Sequence, residues 1–600
     1  MAAVTIEAAA KPCDTGAAAV TRVRDGLYGM TVGSDTVDDW YFEYNKDGAL
    51  TKELLQAVNG GTAYKLGERR VALDKAGRRT RQDLESTSRT GYLNLVGYYQ
   101  LYYYNSTKYW LTKIYRDSVE NAAYQYNDND GRMTKTTYGS GARAEYGYDK
   151  SGGLTKITHY SVSGTTVVAS VAYQYDLAAN VTKATLADTL HFKGDATVAY
   201  AYDGVNRLTR EACAPQSSYR KAYRNLFWYD EVGNRTKLMY YDGSATATTT
   251  YLYSDRNELT KATVGGNDTI YKWDPRGNLT KKGSVEYYWD SQDHMTKVVN
   301  GNTTVEYKYD LLGRRAAKRL TTNGQQPGPW WWYFYDGLKV LFEGSDTSSN
   351  RGYYTVTPAA VGGIVSRVTP GVRRFYHYDR LGNVMAITDV NGKPYAEYTM
   401  DAFGNVLQKG TSTGYSSEFA TDPQPYHLTT KEYDPDVGLY YFNARWYDPT
   451  TGRFVSKDPE RNPADMSDYV FASNQPLGCV DPTGLECRWV VQSRNRGRWS
   501  FVGNCTWEDD LRADQECRAE CLKYAAVLLS VLVCQRVQRN TVIEWIHKCD
   551  PPCPKIGERK WEQLRERALY ARCLCLGPPG SGWLGLFREF RRAIDIPYEW

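Results

Sequence analysis

From about residue 41 to residue 407 the chain repeats one local pattern. Two aromatic residues one position apart are followed by an aspartate, a short polar stretch often ending in Gly-Asn or Gly-Arg, and an apolar-Thr-Lys run. EYGYDKSGGLTKI, AYQYDLAANVTKA, AYAYDGVNRLTRE, LFWYDEVGNRTKL, IYKWDPRGNLTKK, EYKYDLLGRRAAK and FYHYDRLGNVMAI are examples. Residues two apart on an extended chain face the same way, so Tyr173 with Tyr175, and Tyr200 with Tyr202, form an aromatic stripe on one face of a strand. An aspartate at the strand end can accept hydrogen bonds from the amides of the next turn, and Gly or Asn supplies the left-handed residue that reverses the chain. Each unit is therefore a β-hairpin. A lone hairpin is marginal in water, so neighbours must stack edge to edge to bury their stripes.

The aspartate recurs at Asp149, Asp176, Asp203, Asp230, Asp274, Asp290 and Asp310, mostly 16 to 27 residues apart, with Ser254 in the same place between Asp230 and Asp274. Such a period marks one supersecondary unit per repeat. These aspartates are assigned to turns and carry no chemistry. With 52 Tyr and 52 Gly in 600 residues, the composition indicates aromatic strands and polar turns, hence a mostly β fold. Residues 1–40 are irregular, and residues 59–109, with GYYQLYYYN, read as degenerate repeats. The three Trp of GPWWWYFYDG are either a sugar platform or packing at one end of the array, and packing is the expected role. A net charge of +5 is too small to suggest nucleic-acid binding by the repeat body. No apolar run approaches the roughly 20 residues of a membrane-spanning helix. The start, MAAVTIEAAAKPCDTGAAAV, lacks a basic-then-apolar leader. The expectation is a soluble chain that is secreted or displayed by a route without a visible signal peptide, or an N-terminally truncated fragment.

Residues 439–485 read LYYFNARWYDPTTGRFVSKDPERNPADMSDYVFASNQPLGCVDPTGL and differ from the repeats. With the preceding RRFYHYDRLGNVMAITDVNGKPYAEYTMDAFGNVL, this stretch resembles the core that closes RHS-repeat (YD-repeat) proteins, found in bacterial polymorphic toxins and insecticidal toxin-complex C proteins. The resemblance implies a spiralling antiparallel hairpin sheet wound into a partial hollow shell. It implies the boundaries 1–40 (irregular start), 41–372 (repeats), 373–485 (core) and 486–600 (variable C-terminal cargo). It further implies self-cleavage between Leu485 and Glu486, with Pro476, Pro482 and Gly484 completing the motif. The motif-matched aspartates are Asp458 and Asp481, and the matched basic residue is Arg453. Two carboxylates sharing a site cannot both ionise cheaply, so one stays protonated to polarise the carbonyl while the other activates water. Arg453 would hold one aspartate ionised or support the oxyanion. After Lys457-Asp458-Pro459 the chain departs from the family turn and reads ERNPADMSDYVF, making Asp465 and Asp468 rival carboxylates. On the residues alone, Asp458-Pro459 and Asp481-Pro482 also read as turn initiators.

Nine of the 12 Cys lie after residue 485, at Cys487, Cys505, Cys517, Cys521, Cys534, Cys549, Cys553, Cys573 and Cys575. The pattern there predicts a short β start and helices over 508–537, 541–548, 558–574 and 585–594. Cys517 with Cys521 and Cys549 with Cys553 have CxxxC spacing, one helical turn apart, and are read as candidate disulfides across a helical hairpin. Zinc held by His547, Cys549, Cys553 and Cys573 or Cys575 matches no standard finger, so no metal and no cofactor are expected. His547 is read as structural rather than as half of a Cys–His nucleophilic pair.

The expected function is containment and aspartate-dependent release of the C-terminal cargo in competition between cells. The enzymatic part is an intramolecular aspartyl-type autoprotease; the cargo's own activity is left open. Expected partners are the chain's own cargo, an immunity protein and secretion machinery. The alternatives are a surface adhesin whose Tyr-rich sheet binds glycans, and a degenerate, non-cleaving RHS protein.

Overall fold

The computed structural model describes residues 5–9, 19–24, 31–32 and 35–489, apart from residues 46–49, 60–61, 86–96, 109, 188–194, 217–219, 311, 346–350, 359–362, 411–423, 461–466 and 486–487. The helices and the Cys517–Cys521 and Cys549–Cys553 bridges expected after residue 489 lie outside the described residues. The chain divides into two compact units, Met1–Asn504 and Cys505–Trp600. The first is a 35-stranded antiparallel sheet followed by a small four-stranded and a two-stranded one, and the only helices among its described residues are two short 3-10 turns. The mostly β class read from the repeats is what the fold shows.

From Asp35–Tyr44 to Val406–Gly410 each strand pairs with the next in sequence, so the array is a continuous meander. The turn chemistry is that expected of the motif. Asp230 illustrates it: its Oδ1 accepts the Asn234 amide at 2.7 Å, its Oδ2 accepts Asn234 Nδ2 at 2.9 Å, and Gly233 takes φ +87°. The aromatic before each aspartate does more than pack. Tyr175, Tyr202, Tyr229 and Tyr253 donate their hydroxyls to the carbonyls of Leu154, Val181, Leu208 and Arg235, at 2.5 to 2.8 Å. Trp273 and Trp289 do the same through the indole N–H, to Leu259 and Leu279 at 2.7 Å. This position therefore needs an aromatic ring with a donor at its tip, which Tyr and Trp have and Phe lacks. The aromatic two residues earlier is buried at Phe227, Tyr251, Tyr271 and Tyr287 and partly buried at Tyr173 and Tyr200. Trp332 is buried too, with Trp330 and Trp331 packed against its cluster, so the Trp run serves packing.

Later strands return to lie against earlier ones. Arg69 reaches Asp336 at 2.9 Å across 267 residues, Gln100 donates to the Tyr354 carbonyl at 2.9 Å across 254, and Ser366 to Asn121 at 2.7 Å across 245. The Ala402 amide meets Glu211 at 3.1 Å across 191. This steady contraction is the signature of a sheet that spirals over its own beginning. Residues 424–485 then pack on the repeat turns and strands: Tyr469 donates to the Gly277 carbonyl at 3.1 Å, while Lys282 of strand Leu279–Lys282 pairs with Asp448 at 2.7 Å and Lys318 of strand Arg315–Thr322 pairs with Asp434 at 2.7 Å.

Candidate active site

Strands Leu439–Tyr441 and Trp446–Asp448 are joined by a tight turn in which Asn443 takes φ +68°. The next residue, Ala444, donates its amide to the Thr483 carbonyl at 3.0 Å and so ties the segment around Asp481 to this hairpin. Gly484 takes φ +82°, and a Cβ there would stand 2.7 Å from the Phe442 carbonyl oxygen. Only glycine fits that conformation and that gap. Asp481, 2% exposed, closes the loop: its Oδ1 accepts the amides of Thr483 at 3.2 Å, Gly484 at 2.7 Å and Leu485 at 3.1 Å. The three residues leading to the expected scission point are thus wound around one carboxylate.

The second aspartate is brought to the first by an arginine. Arg445 Nη2 lies 3.0 Å from Asp458 Oδ2 and 3.7 Å from Asp481 Oδ2. Its Nε donates to the Gly484 carbonyl, Nη1 donates to the Asp468 carbonyl at 3.1 Å, and its plane sits 3.7 Å over the Phe454 ring. The guanidinium is buried and binds both carboxylates and the backbone of the motif. Burial pushes the Asp458 carboxyl up to about 7, with Arg445 and the Glu460 amide (2.8 Å) opposing that rise and Asp481 adding to it. On the other side, buried Lys431 donates to the Pro482 carbonyl at 2.5 Å and to Asn443 Oδ1 at 2.8 Å. Burial lowers its ammonium to about 8, against the attraction of Asp481.

Asp458, Asp481, Pro482, Gly484 and Leu485 therefore converge. Pro476 lies in the loop just before the strand Cys479–Val480, whose Cys479 is disulfide-bonded. Arg453 is elsewhere: it donates to Asn234 Oδ1 at 3.0 Å, to the Asn257 carbonyl at 2.6 Å and to Ser467 Oγ at 3.2 Å, and so pins this segment to the repeat turns. Asp468 gives the site its carbonyl while its carboxylate pairs with Lys457 at 3.4 Å; Asp465 and Glu486 lie outside the described residues. Sequence reasoning missed Arg445 and Lys431. Their signal is present as single cations inside the aromatic, turn-rich runs FNARWYDP and TTKEYDP. Among the described residues no group of three or more His, Cys, Asp or Glu is placed to hold a metal ion, and no helix is long and apolar enough to cross a membrane.

The family model described as Teneurin YD-shell matches residues 159–477, more than half of the chain. The tRNA3(Ser)-specific nuclease WapA of Bacillus spizizenii is 32% identical over 286 residues, covering 46% of this chain and 11% of that protein. Teneurin-1 of Gallus gallus is 23% identical over 267 residues, 42% of this chain and 9% of that one. The chain spans about a tenth of the length of these curated relatives. Among solved structures, the TcdB2-TccC3 crystal structure aligns with a TM-score of 0.54 at 17% identity, over 78% of this chain and 27% of that one. A Photorhabdus luminescens Tc holotoxin pore aligns with a TM-score of 0.53 at 16% identity, over 81% of this chain and 27% of that one. At such identities these two likenesses speak to the fold.

Proposed function

The chain belongs to the Teneurin YD-shell family, and on that premise we propose that it is an RHS-type shell of a polymorphic toxin, which holds residues 486–600 as cargo and severs them by hydrolysing the peptide bond after Leu485. The observation that carries this reading is the Asp481 carboxylate bonded to the amides of Thr483, Gly484 and Leu485, with Arg445 joining it to Asp458. Such a cage fixes the backbone before one peptide bond, and orientation of this kind supplies much of the advantage of an intramolecular reaction. In the proposed reaction Asp458 is the carboxyl that keeps its proton near neutrality and polarises the Leu485 carbonyl. Asp481, through the oxygen facing Arg445, takes a proton from the attacking water, and Arg445 supports the oxyanion. Collapse of the tetrahedral intermediate breaks the C–N bond, the proton taken by Asp481 passes to the Glu486 nitrogen, and the new Leu485 carboxyl gives up its own proton to solvent and is left as a carboxylate. Lys431 is a positioning residue, holding the Pro482 carbonyl and the Asn443 turn.

The domain limits 41–372, 373–485 and 486–600 are part of the same proposal, as are export of the protein, a toxic cargo acting on competing cells and an immunity protein in the producer. The test is electrophoresis under reducing, denaturing conditions. Wild type is expected to yield a fragment beginning at Glu486, and Asp481→Asn and Asp458→Asn only the intact chain. Equal cleavage in both variants would remove the aspartates from the mechanism. Toxicity of residues 486–600 expressed alone supports the cargo role, whereas glycan binding by a chain ending at Leu485, with a harmless tail, would favour an adhesin.

A further inference from the structure

The strands Leu154–Tyr160 and Val372–Tyr378 belong to different passes of the spiral and meet through two fully buried histidines. His159 Nδ1 and His377 Nδ1 are 3.2 Å apart; His159 Nε2 lies 2.9 Å from the Tyr378 carbonyl, and His377 Nε2 lies 2.9 Å from Thr388 Oγ1. Only one neutral arrangement satisfies all four ring nitrogens. The Tyr378 carbonyl can only accept, so His159 carries its proton on Nε2 and accepts at Nδ1; His377 then donates from Nδ1 and accepts the Thr388 hydroxyl at Nε2. A further proton either sets two N–H groups head to head at 3.2 Å or leaves a cation in an apolar seam. The lining is Tyr138, whose ring is 4.5 Å from that of His377, with Ala144, Ala169 and Ala386 opposite the histidines on the paired strands.

The charged groups on the packed strands are engaged away from the pair or lie beyond it. Arg143 pairs with Glu145 and stacks on Tyr160, Lys156 is exposed, and Arg367 pairs with Glu343. Arg374 lies over Tyr395, Asp379 holds the Asn383 turn, Arg380 donates to the Leu477 carbonyl and Asp389 binds the Asn391 amide. Arg373, half-buried, is held below its ordinary value by burial and by Arg116, while Glu397 stands in the cross-strand row beyond Ala386. Tyr173 meets the Arg380 amide, and the Tyr378 hydroxyl donates to the Ile364 carbonyl. Burial lowers both histidines, His159 to about 4 against the Tyr378 carbonyl that raises it, and the charge of His159 lowers His377 further.

We propose that His159 and His377 form an acid-opened latch: the neutral pair fastens two passes of the sheet, and acidification parts them. The latch does not depend on the self-cleavage reading. It gives the spiral a seam that opens in an acidic compartment while the remaining strands stay paired.

The test is hydrogen–deuterium exchange on the full-length chain between pH 7 and pH 4, corrected for intrinsic rates. Exchange in residues 154–160 and 372–378 is expected to rise by about 100-fold relative to strand Leu259–Val264, the factor that a fall from 6.5 to about 4 at His159 gives between pH 7 and pH 4. His159→Gln, which cannot gain a proton at the position that sets this factor, should flatten that rise. Acid exchange spread evenly over the sheet would overturn the proposal, as would an unchanged acid rise in His159→Gln. If the variant fails to fold, 13C spectra of the six histidines in wild type decide: two signals titrating well below 6.5 support the latch, and none doing so overturns it.

Discussion

Arg445→Met separates the site seen in the structure from the one expected along the sequence. The methionine keeps the apolar packing on Phe454 but removes the cation between Asp458 and Asp481 and three donors: to the Gly484 carbonyl, the Asp468 carbonyl and Asp458. Stripping one partner from a buried ion pair costs about 3–5 kcal/mol, because the remaining charge stays buried. Asp458 partly escapes that cost by holding its proton more tightly, since Arg445 is the largest influence opposing its rise. Two results are therefore expected. Cleavage after Leu485 stops or slows by at least about 100-fold, equivalent to roughly 2.7 kcal/mol of transition-state stabilisation, and the residual rate titrates at higher pH than wild type. Arg453→Met provides the contrast: it loosens the attachment to Asn234 and Asn257 and lowers stability, yet leaves the pH profile of cleavage in place. The assay is fragment appearance after on-column refolding, followed by intact mass across pH 5 to 9 alongside thermal melts. Wild-type cleavage and an unmoved profile in Arg445→Met would refute the reasoning.

Other outcomes follow from the same geometry. Cleavage should fall as pH rises through about 7, because Asp458 must be protonated. Its folded value lies above its unfolded one, so the stability it contributes is fully present below about 3.8 and is lost as pH rises through about 7; pH-dependent melts check the sign. Gly484→Ala, with φ +82° and a 2.7 Å approach to the Phe442 carbonyl, should unseat the Asp481 cage and abolish the fragment while the repeat sheet melts normally. Tyr229→Phe removes the hydroxyl bonded to the Leu208 carbonyl and should cost about 1 kcal/mol in denaturant unfolding, without affecting cleavage.

The repeat body was legible because its rules are local. A period-two aromatic stripe, an aspartate two and four residues from the amides it caps, and a glycine at positive φ all fall within one hairpin, as at Asp230, Asn234 and Gly233. The donor at the tip of each second aromatic was less legible, since its acceptor lies 10 to 21 residues earlier, one hairpin back. Contacts between passes of the spiral span 179 to 267 residues and leave no periodic trace. In the candidate site the aspartates were visible as motif positions, but the same motif match pointed to Arg453, five residues before Asp458. The turn at Asn443 reverses the chain, carries Arg445 between the two carboxylates, and leaves Arg453 facing Asn234. Lys431 reaches the Pro482 carbonyl across 51 residues, a distance no local pattern encodes.

The most direct test of the central claim is intact mass spectrometry of the purified chain, reduced because Cys479 is disulfide-bonded, with native mass measured in parallel. The account predicts two masses that meet between Leu485 and Glu486 under denaturing conditions and one assembly under native conditions. A single 68.1 kDa species under both would contradict it and return Asp458 and Asp481 to the role of turn residues.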